Sequence, residues 1–290
     1  MKIRDILSCG KPTVSFEVFP PKREAPLEPV KKAVTELAVE KPAFMSVTYG
    51  AAGGSSSVNT SAVASYVQNA CGVTALAHLT CVMATREGVA AEAAKMSAAG
   101  IENILALRGD IPATVDYPSP DHFHHAIELV EFLRKEYPQF CLGGACYPEG
   151  HPECAHLKDD IAHTKAKVEA GLDFLTSQMF FDNNIFYAYL AKVRAAGIRV
   201  PIIAGIMPVT NGKQIARICK LSGTLLPPRF RAIVDRFGES PDSMLEAGVA
   251  FATEQIIDLF ANGVENVHIY TMNKPEVAGR IMHNLKSILA

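Results

Sequence analysis

The chain alternates short apolar runs with longer amphipathic segments eight times along its length. Runs rich in β-branched and aromatic residues predict strands, whereas apolar residues recurring every three to four positions predict helices. The predicted strands are 13–19, 44–49, 74–81, 103–108, 141–147, 173–180, 200–207 and 265–271. The predicted helices are 29–40, 58–70, 86–99, 121–136, 156–170, 183–196, 211–221, 242–262 and 275–288.

This alternation is typical of an α/β protein with a parallel sheet and helices outside it. Eight strands in 290 residues, with no linker or break in composition, favour a closed (β/α)8 TIM barrel over an open doubly wound sheet. Residues 1–290 are therefore predicted to form a single domain. The proline-containing segment 222–241 is predicted to be an insertion before the last strand, made of a loop and a short helix.

Composition and charge narrow the class of protein. Hydrophobic residues make up 49% of the chain, which is enough for a large core, and the formal net charge of −2 gives no electrostatic reason to expect nucleic acid or an anionic membrane as a partner. No apolar run reaches the roughly 18 to 20 residues that span a bilayer, and residues 1–10 lack a signal-peptide core. A cytoplasmic protein is expected.

The seven cysteines are odd in number and include no C-x-x-C pair, which predicts reduced thiols rather than disulfides. Cys146, His151, Cys154 and His156 form the densest group of metal-ligand types, but their spacing matches no common zinc pattern, so no metal is predicted. The histidines of segment 121–125 are assigned to the first turn of the helix 121–136.

Polar side chains follow most of the predicted strands at the point where the apolar run ends. In a TIM barrel the carboxyl ends of all strands meet on one face, where active sites lie, so residues far apart in sequence would line one pocket. The residues concerned are Glu17, Thr48, Tyr49, His78, Thr80, Arg108, Asp110, Tyr147, Glu149, His151, Gln178, Tyr270 and Asn273.

Glu17 is unusual because it lies between Phe16 and Phe19 at the end of an apolar strand. A carboxyl group in such surroundings loses hydration, which raises its pKa and can keep it protonated, as a general acid requires. The alternative is a Glu17 paired with a neighbouring Lys or Arg. The residues around it alone leave both interpretations open.

Seven segments resemble the methylenetetrahydrofolate reductase family over nearly the whole chain, and their order and spacing make the resemblance specific. The family binds FAD without a Rossmann motif, which agrees with the lack of G-x-G-x-x-G here. The segments are SFEVFPP at 15–21, SVTYG at 46–50, AHLT at 77–80, ALRGDIP at 106–112, YPEGHPE at 147–153, TSQMFFD at 176–182 and GIMP at 205–208.

The resemblance implies that Glu17 protonates N10 of 5,10-methylenetetrahydrofolate, which opens the ring to a 5-iminium cation that reduced flavin then converts to 5-methyltetrahydrofolate. It implies that Asp110 lies beside flavin and pterin, where its charge would stabilise the cation and lower the flavin's tendency to accept electrons. The alternative for Asp110 is a structural pair with Arg108. Gly109 is expected to let the backbone approach a ligand closely.

The same resemblance implies the flavin and substrate contacts. Arg108 and Lys167 would offer charges for the pyrophosphate, and His78 and Tyr147 suit the isoalloxazine and ribityl region. The FAD residues carried over are Thr48, Tyr49, Ala51, His78, Arg108, Gly109, Asp110, Ala126, Tyr147, His151, Asp160, His163 and Lys167. The substrate residues carried over are Gln178, Gln214, Tyr270 and Lys274.

The chain departs from the family pattern at several of these places. Ala166 stands where an Arg is expected, His163 where an Asn is expected, and His125 where a Tyr is expected. Lys274 replaces an Arg and cannot make a planar bidentate contact with a carboxylate. Ile218 replaces an aromatic residue that packs near the nicotinamide, which leaves the electron donor open.

The leading hypothesis is an FAD-dependent reductase that works by a ping-pong cycle with NAD(P)H and folate as alternating substrates, in methionine synthesis and one-carbon metabolism. A second hypothesis is another flavin barrel, such as proline dehydrogenase, or a reductase fed by an electron-donor protein partner. A third is a catalytically silent folate- or flavin-binding subunit. The choice between NADH and NADPH and the presence of a homo-oligomer stay open.

Overall fold

The structure, a computed structural model, describes residues 1–21, 25–49, 57–82, 84–111 and 121–290. Eight parallel strands close into a barrel in the order β1 to β8, as the alternation predicted. The strands are β1 (Thr13–Val18), β2 (Met45–Val47), β3 (Ala75–Thr80), β4 (Asn103–Leu107), β5 (Cys141–Cys146), β6 (Phe174–Ser177), β7 (Ile202–Ile206) and β8 (Asn266–Tyr270).

The helices lie outside the barrel, apart from a short helix at the N-terminus that the sequence pattern did not predict. Residues 222–241 form a loop and a short helix, α9, as expected. The helices are α1 (Ile3–Leu7), α2 (Glu28–Val39), α3 (Ser57–Asn69), α4 (Arg86–Ala98), α5 (Ala126–Glu136), α6 (Leu157–Glu169), α7 (Asn183–Ala195), α8 (Gly212–Ser222), α9 (Pro228–Phe237), α10 (Pro241–Ala261) and α11 (Pro275–Leu285).

The prediction that a helix begins near residue 121 is wrong. Helix α5 begins at Ala126, because the Glu128 carboxylate accepts hydrogen bonds from the backbone N–H groups of His124 and His125, both at 3.2 Å, and so holds the preceding segment extended. His122 forms a bridge with Thr85 instead of a helical turn. The histidines of this segment therefore precede the helix.

The largest apolar cluster lies between the strands and the surrounding helices. A smaller one fills the amino end of the barrel, where Ile3 and Leu7 of α1 pack with Phe44, Leu105 and Phe174. Gly143 leaves room for this packing, since a Cβ there would overlap the Phe174 ring. The amino end is thus closed by side chains, and the carboxyl end is left for polar groups.

Among the described residues, no helix is long and apolar enough to cross a lipid bilayer. The structure forms no disulfide among the seven cysteines, and the prediction of reduced thiols stays a prediction.

Candidate active site

Glu17 lies near the carboxyl end of β1, and its side chain is only 22% exposed. The strand register places it opposite Ser46 of β2 on one side and Tyr270 of β8 on the other. Its Oε2 lies 3.5 Å from Ser46 Oγ, 3.6 Å from His78 Nε2 and 4.0 Å from His268 Nε2. Glu17 therefore faces the interior of the barrel mouth among neutral hydrogen-bonding groups.

Burial controls the protonation of this group. Loss of hydration raises the pKa of Glu17 to about 8, and the Ser46 hydrogen bond offsets only part of that effect. Burial also lowers the pKa of His78 and of His268 to about 3. Near pH 7 the carboxyl group is therefore mostly protonated and both imidazoles are neutral.

The sequence left open whether Glu17 is instead paired with a Lys or Arg. Within the described ranges, no lysine or arginine forms an ion pair with it, and its close neighbours are the two neutral histidines and Ser46. The geometry favours an acid that holds a proton over a structural ion pair.

His268 connects two serines near Glu17, Ser15 and Ser46, through its two ring nitrogens. Its Nδ1 lies 2.7 Å from Ser15 Oγ and its Nε2 lies 2.9 Å from Ser46 Oγ, and its ring stacks on Phe44. Because the Ser15 hydroxyl donates to the Val267 carbonyl, it is left to accept from Nδ1–H of His268. The other ring nitrogen, Nε2, is then unprotonated and can only accept, so the imidazole is fixed as one neutral tautomer. The single hydroxyl proton of Ser46 can serve either this nitrogen or Glu17 Oε2, but not both at once.

Sequence reasoning missed Ser15, Ser46 and His268. Each lies two positions before a residue that was singled out, namely Glu17, Thr48 and Tyr270. Side chains two apart on a strand share a face, so this period-two pattern was the signal that could have found them.

A cavity of about 360 Å³ opens at the carboxyl ends of β4 and β5. It brings together seven of the residues predicted to bind FAD, which come from the loops after β4 and β5 and from helices α5 and α6. These residues are Arg108, Ala126, Tyr147, His151, Asp160, His163 and Lys167. The departures from the family pattern, His125 and Ala166, line the same cavity.

Two of these residues, Asp160 and Lys167, carry ionisable side chains that are at least partly buried. Asp160 is 5% exposed, and its Oδ2 has no hydrogen-bond partner among the described residues. Burial raises its pKa, and burial lowers the pKa of Lys167, whose Nζ donates to the Ala145 carbonyl at 2.8 Å. An unpartnered buried oxygen beside a cavity suits a ligand that carries a hydroxyl or N–H donor.

Tyr147 and His151 form another wall of the cavity, with ring centroids 4.7 Å apart and the rings nearly perpendicular. Burial raises the pKa of Tyr147 to about 12, so its hydroxyl is neutral at physiological pH. These rings offer a polarised, mainly apolar surface that suits a planar ligand.

Arg108 is held by a residue that the sequence reasoning did not assign to the site. Its guanidinium makes two hydrogen bonds to Glu153, at 2.6 and 2.7 Å, and this pairing lowers the pKa of Glu153. The alternative pair between Arg108 and Asp110 therefore does not describe the strong contact of this arginine, and the Asp110 side chain is exposed. Arg108 lies in the ALRGDIP segment and Glu153 in the YPEGHPE segment, but their pairing across two loops carried no sequence signal.

The other predicted FAD residues lie at neighbouring strand ends. Thr48 and Tyr49 follow β2, and Gly109 follows β4 with φ of +89°, packed close to Val82 and Thr80. The glycine is thus required by its own backbone conformation and packing. Ala51 lies outside the described residues.

The predicted substrate residues separate into two groups. Tyr270 is beside Glu17, and its hydroxyl donates to the Ser177 carbonyl at 2.7 Å, while Gln178 follows β6 and accepts from the Met179 N–H at 2.9 Å. Lys274 donates from Nζ to Thr210 Oγ1 at 2.9 Å. Gln214, near the start of α8, is exposed.

The alternative metal site finds no support. In the parts of the chain that the structure describes, no group of three or more His, Cys, Asp or Glu side chains is placed to hold a metal ion. Cys146 is fully buried, and burial raises the pKa of its thiol to about 12.

Comparison with known proteins connects this site to a family. The family model described as methylenetetrahydrofolate reductase matches residues 2–286. The 5,10-methylenetetrahydrofolate reductases of Pectobacterium carotovorum and Escherichia coli are 34% and 33% identical to the chain, and each match covers 95% of the chain and 91% of the relative. Methylenetetrahydrofolate reductase 1 of Schizosaccharomyces pombe is 35% identical, with 95% of the chain covered.

The chain spans about half the length of the yeast and plant relatives that it matches, 46% for the Schizosaccharomyces pombe protein and 50% for an NADH-named reductase of Arabidopsis thaliana. Among solved structures, a protein from Clostridium thermocellum, described as binding two copies of 5-methyl-5,6,7,8-tetrahydrofolic acid, has a TM-score of 0.66 at 14% identity. That match covers 100% of this chain and 99% of the other, and it shows a shared fold.

Proposed function

The chain belongs to the methylenetetrahydrofolate reductase family, and from this premise we propose that it reduces 5,10-methylenetetrahydrofolate to 5-methyltetrahydrofolate with FAD as cofactor and NAD(P)H as electron donor. The observation that carries the proposal is Glu17, a carboxyl group with a pKa of about 8 at the mouth of the barrel. Ring opening of the substrate needs a proton donor that stays neutral near pH 7.

The residues around the cavity fit FAD. Lys167 and Arg108 supply cations for a pyrophosphate, the unpartnered Asp160 oxygen can accept a hydrogen bond from a sugar-chain hydroxyl, and Tyr147 offers a ring face. Arg108 must first exchange its Glu153 partner for phosphate oxygens. When bound, FAD supplies the hydride-transfer chemistry.

In the proposed reaction Glu17 holds a proton on its carboxyl group and gives it to N10 of the substrate, which opens the ring and leaves a 5-iminium cation. The Ser46 hydroxyl can then donate a hydrogen bond to the new carboxylate. Asp110, at the end of β4, is proposed to stabilise the cation by its negative charge. Tyr270 and Gln178 are proposed to orient the pterin.

Replacing Glu17 with Gln tests the assignment. We expect the variant to bind FAD and be reduced by NAD(P)H at near wild-type rate, while folate reduction falls by roughly 10²- to 10⁴-fold, the usual contribution of a positioned acid. Anaerobic stopped-flow absorbance of the flavin separates the two half-reactions.

The control is Glu92→Gln, which changes another buried glutamate, on α4. A Glu17→Gln enzyme that still reduced the folate at near wild-type rate would exclude Glu17 as the acid.

Asp110→Asn tests the electrostatic role. Removing the negative charge should raise the flavin reduction potential, which makes the reduced flavin a weaker hydride donor, and it should also take away the charge that stabilises the iminium cation, so folate reduction should slow more than nicotinamide oxidation. Potentiometric titration and the two stopped-flow half-reactions measure this. Equal slowing of both half-reactions would contradict the proposed role.

The electron donor has a second candidate. Ile218, where the family resemblance expects an aromatic residue, packs against the cluster that includes Met179 and Phe181, so it offers no ring for a nicotinamide. If methylenetetrahydrofolate reoxidises chemically reduced enzyme but neither NADH nor NADPH bleaches the flavin, an electron-donor protein replaces the nicotinamide. The ping-pong order, the cytoplasmic location and a homo-oligomer stay predictions.

A further inference from the structure

Helices α8 and α9 form a basic region in a protein whose formal net charge is −2. Between residues 212 and 237 there are six lysines and arginines and one carboxylate, Asp235. The region follows directly after β7, so it begins at the end of the barrel that carries Glu17. A local excess of cations beside a substrate entrance attracts anionic ligands.

The α8 cations lie along one face of the helix. Lys213, Arg217 and Lys220 are spaced i, i+4 and i+7, and all three are exposed, while Ile215 on another face is only 3% exposed and anchors the helix. The rise of an α-helix separates these positions by roughly 6 Å and 4.5 Å along its axis. We call Lys213, Arg217 and Lys220 the α8 stripe.

Most of the α8 stripe is available to a ligand. Lys213 pairs with Glu239 at 3.1 Å, but both side chains are largely exposed, so this contact exchanges easily with other anions. Across the described part of the chain, neither the Arg217 nor the Lys220 side chain forms an ion pair or a hydrogen bond. Two cations on one face are therefore uncommitted.

The N-terminal end of the α8 stripe, at Lys213, lies next to two of the predicted substrate residues, Gln214 and Lys274. Gln214 follows Lys213 directly, and Lys274 contacts Thr210, one residue before the N-cap Asn211 of α8. A substrate carboxylate held by Lys274 would thus lie near the start of the helix.

We propose that the α8 stripe binds the chain of γ-linked glutamates that extends a folate substrate beyond its first glutamate. This inference rests on the proposed function. Each γ-linked unit adds one carboxylate, and standard bond lengths space successive units by roughly 6 Å when extended. That spacing is close to the spacing of the cations along α8.

An acidic electron-donor protein is the competing occupant. A stable protein interface needs roughly 1,000 Å² of buried surface, whereas the α8 stripe is a single row of three side chains. The row starts beside the predicted substrate carboxylate site, as a substrate extension requires. The stripe therefore fits a flexible polyanion better than a protein surface.

The test compares 5-methyltetrahydrofolate monoglutamate with its triglutamate, titrated into the FAD-loaded full chain at about 50 mM salt. Exposed ion pairs contribute roughly two- to fivefold each, so we expect the triglutamate to bind about tenfold tighter. Arg217→Gln combined with Lys220→Gln should reduce this gain to about twofold or less without changing the monoglutamate affinity.

The matched control is Arg231→Gln combined with Arg236→Gln, which removes the same charge from α9 and should keep the gain. Equal affinity of the two ligands for the wild-type chain, or the same loss in the α9 control, would overturn the proposal. So would an α8 variant that keeps the gain but loses reduction by an acidic carrier protein. Failure of the monoglutamate to bind at all would instead refute the proposed function, and the inference with it.

Discussion

At the scale of single residues, the protonation state of Glu17 depends on what surrounds it. Three strands bring Ser46, His78 and His268 within 4.0 Å of one carboxyl oxygen, and burial keeps both imidazoles neutral. A nearby arginine would have lowered the pKa of this carboxyl group and removed its proton. The site thus holds an acid because the polar neighbours of Glu17 are uncharged.

The Arg108–Glu153 pair gives a prediction about cofactor loading. Glu153→Gln removes the carboxylate that competes with phosphate for the Arg108 guanidinium, and we expect FAD to bind roughly two- to fivefold tighter, the range for a partly exposed ion pair. Flavin fluorescence during titration of the cofactor-free protein measures the dissociation constant.

The control for this change is Glu169→Gln, which breaks an exposed pair with Lys165 on α6, away from the bidentate contact. FAD affinity that stays unchanged or weakens in Glu153→Gln would show that Glu153 helps to hold the cofactor instead of competing for Arg108.

Residues of the site differ in how far sequence could reveal them. Glu17 could be singled out because a charge between two phenylalanines is rare in a strand, and His268 could have been found from its period-two relation to Tyr270. The pairing of Arg108 with Glu153 depends on the conformation of two loops, and loop conformation has no periodic signal.

At the scale of elements, α1 is the clearest addition to the predicted fold. Five residues are too few to show a helical period, so the pattern of apolar residues could not identify this helix. Its Ile3 N–H donates to Asn103 Oδ1 at 2.8 Å, which fixes the helix to the start of β4.

The role of α1 can be measured by Leu7→Ala. Leu7 is 5% exposed and packs into the cluster at the amino end of the barrel, so the substitution should lower the free energy of unfolding by about 2 to 5 kcal/mol. Urea denaturation monitored by circular dichroism provides the value.

Leu221→Ala serves as the control, because Leu221 is 72% exposed and its loss should change stability by about 0.5 kcal/mol or less. If both variants lost the same small amount, α1 would contribute little to the closure of the barrel.

At the scale of the whole molecule, the buried ionisable groups predict how stability depends on pH. The pKa of Glu17 rises from its ordinary value of 4.5 to about 8 on folding, so the folded chain holds a proton that the unfolded chain releases. Stability is then lost as pH rises toward 8, by about 2 kcal/mol between about pH 6.5 and 8.5. His78 and His268, with pKa values of about 3, act oppositely and lose stability as pH falls below 6.5.

Comparing the wild type with Glu17→Gln isolates the Glu17 contribution, because the histidines are common to both proteins. We expect urea unfolding of the variant to show a flatter dependence on pH between about 5 and 8, the interval between the unfolded and folded pKa values of Glu17. Parallel curves for the two proteins would mean that Glu17 has an ordinary pKa in the folded chain.

The architecture was largely predictable because the strands are short apolar runs, and the helices other than α1 are long enough to separate one run from the next. All eight strands and the closed order agree with the prediction. The start of α5 was not predictable from periodicity, because a side-chain contact from Glu128 to the preceding backbone decides it. Local pattern therefore identified the elements, and contacts between loops decided the details of the site.

The cluster formed by α1, Phe44, Leu105 and Phe174 determines from which end of the barrel ligands can reach the candidate site. Because side chains close the amino end of the barrel, a ligand reaches the Glu17 carboxyl group from the carboxyl end and leaves by the same end. If the electron donor and the folate bind in the same space, only one of them can occupy it at a time. Alternating binding of the two substrates would then follow from the shape of the barrel, independently of which side chains select each substrate.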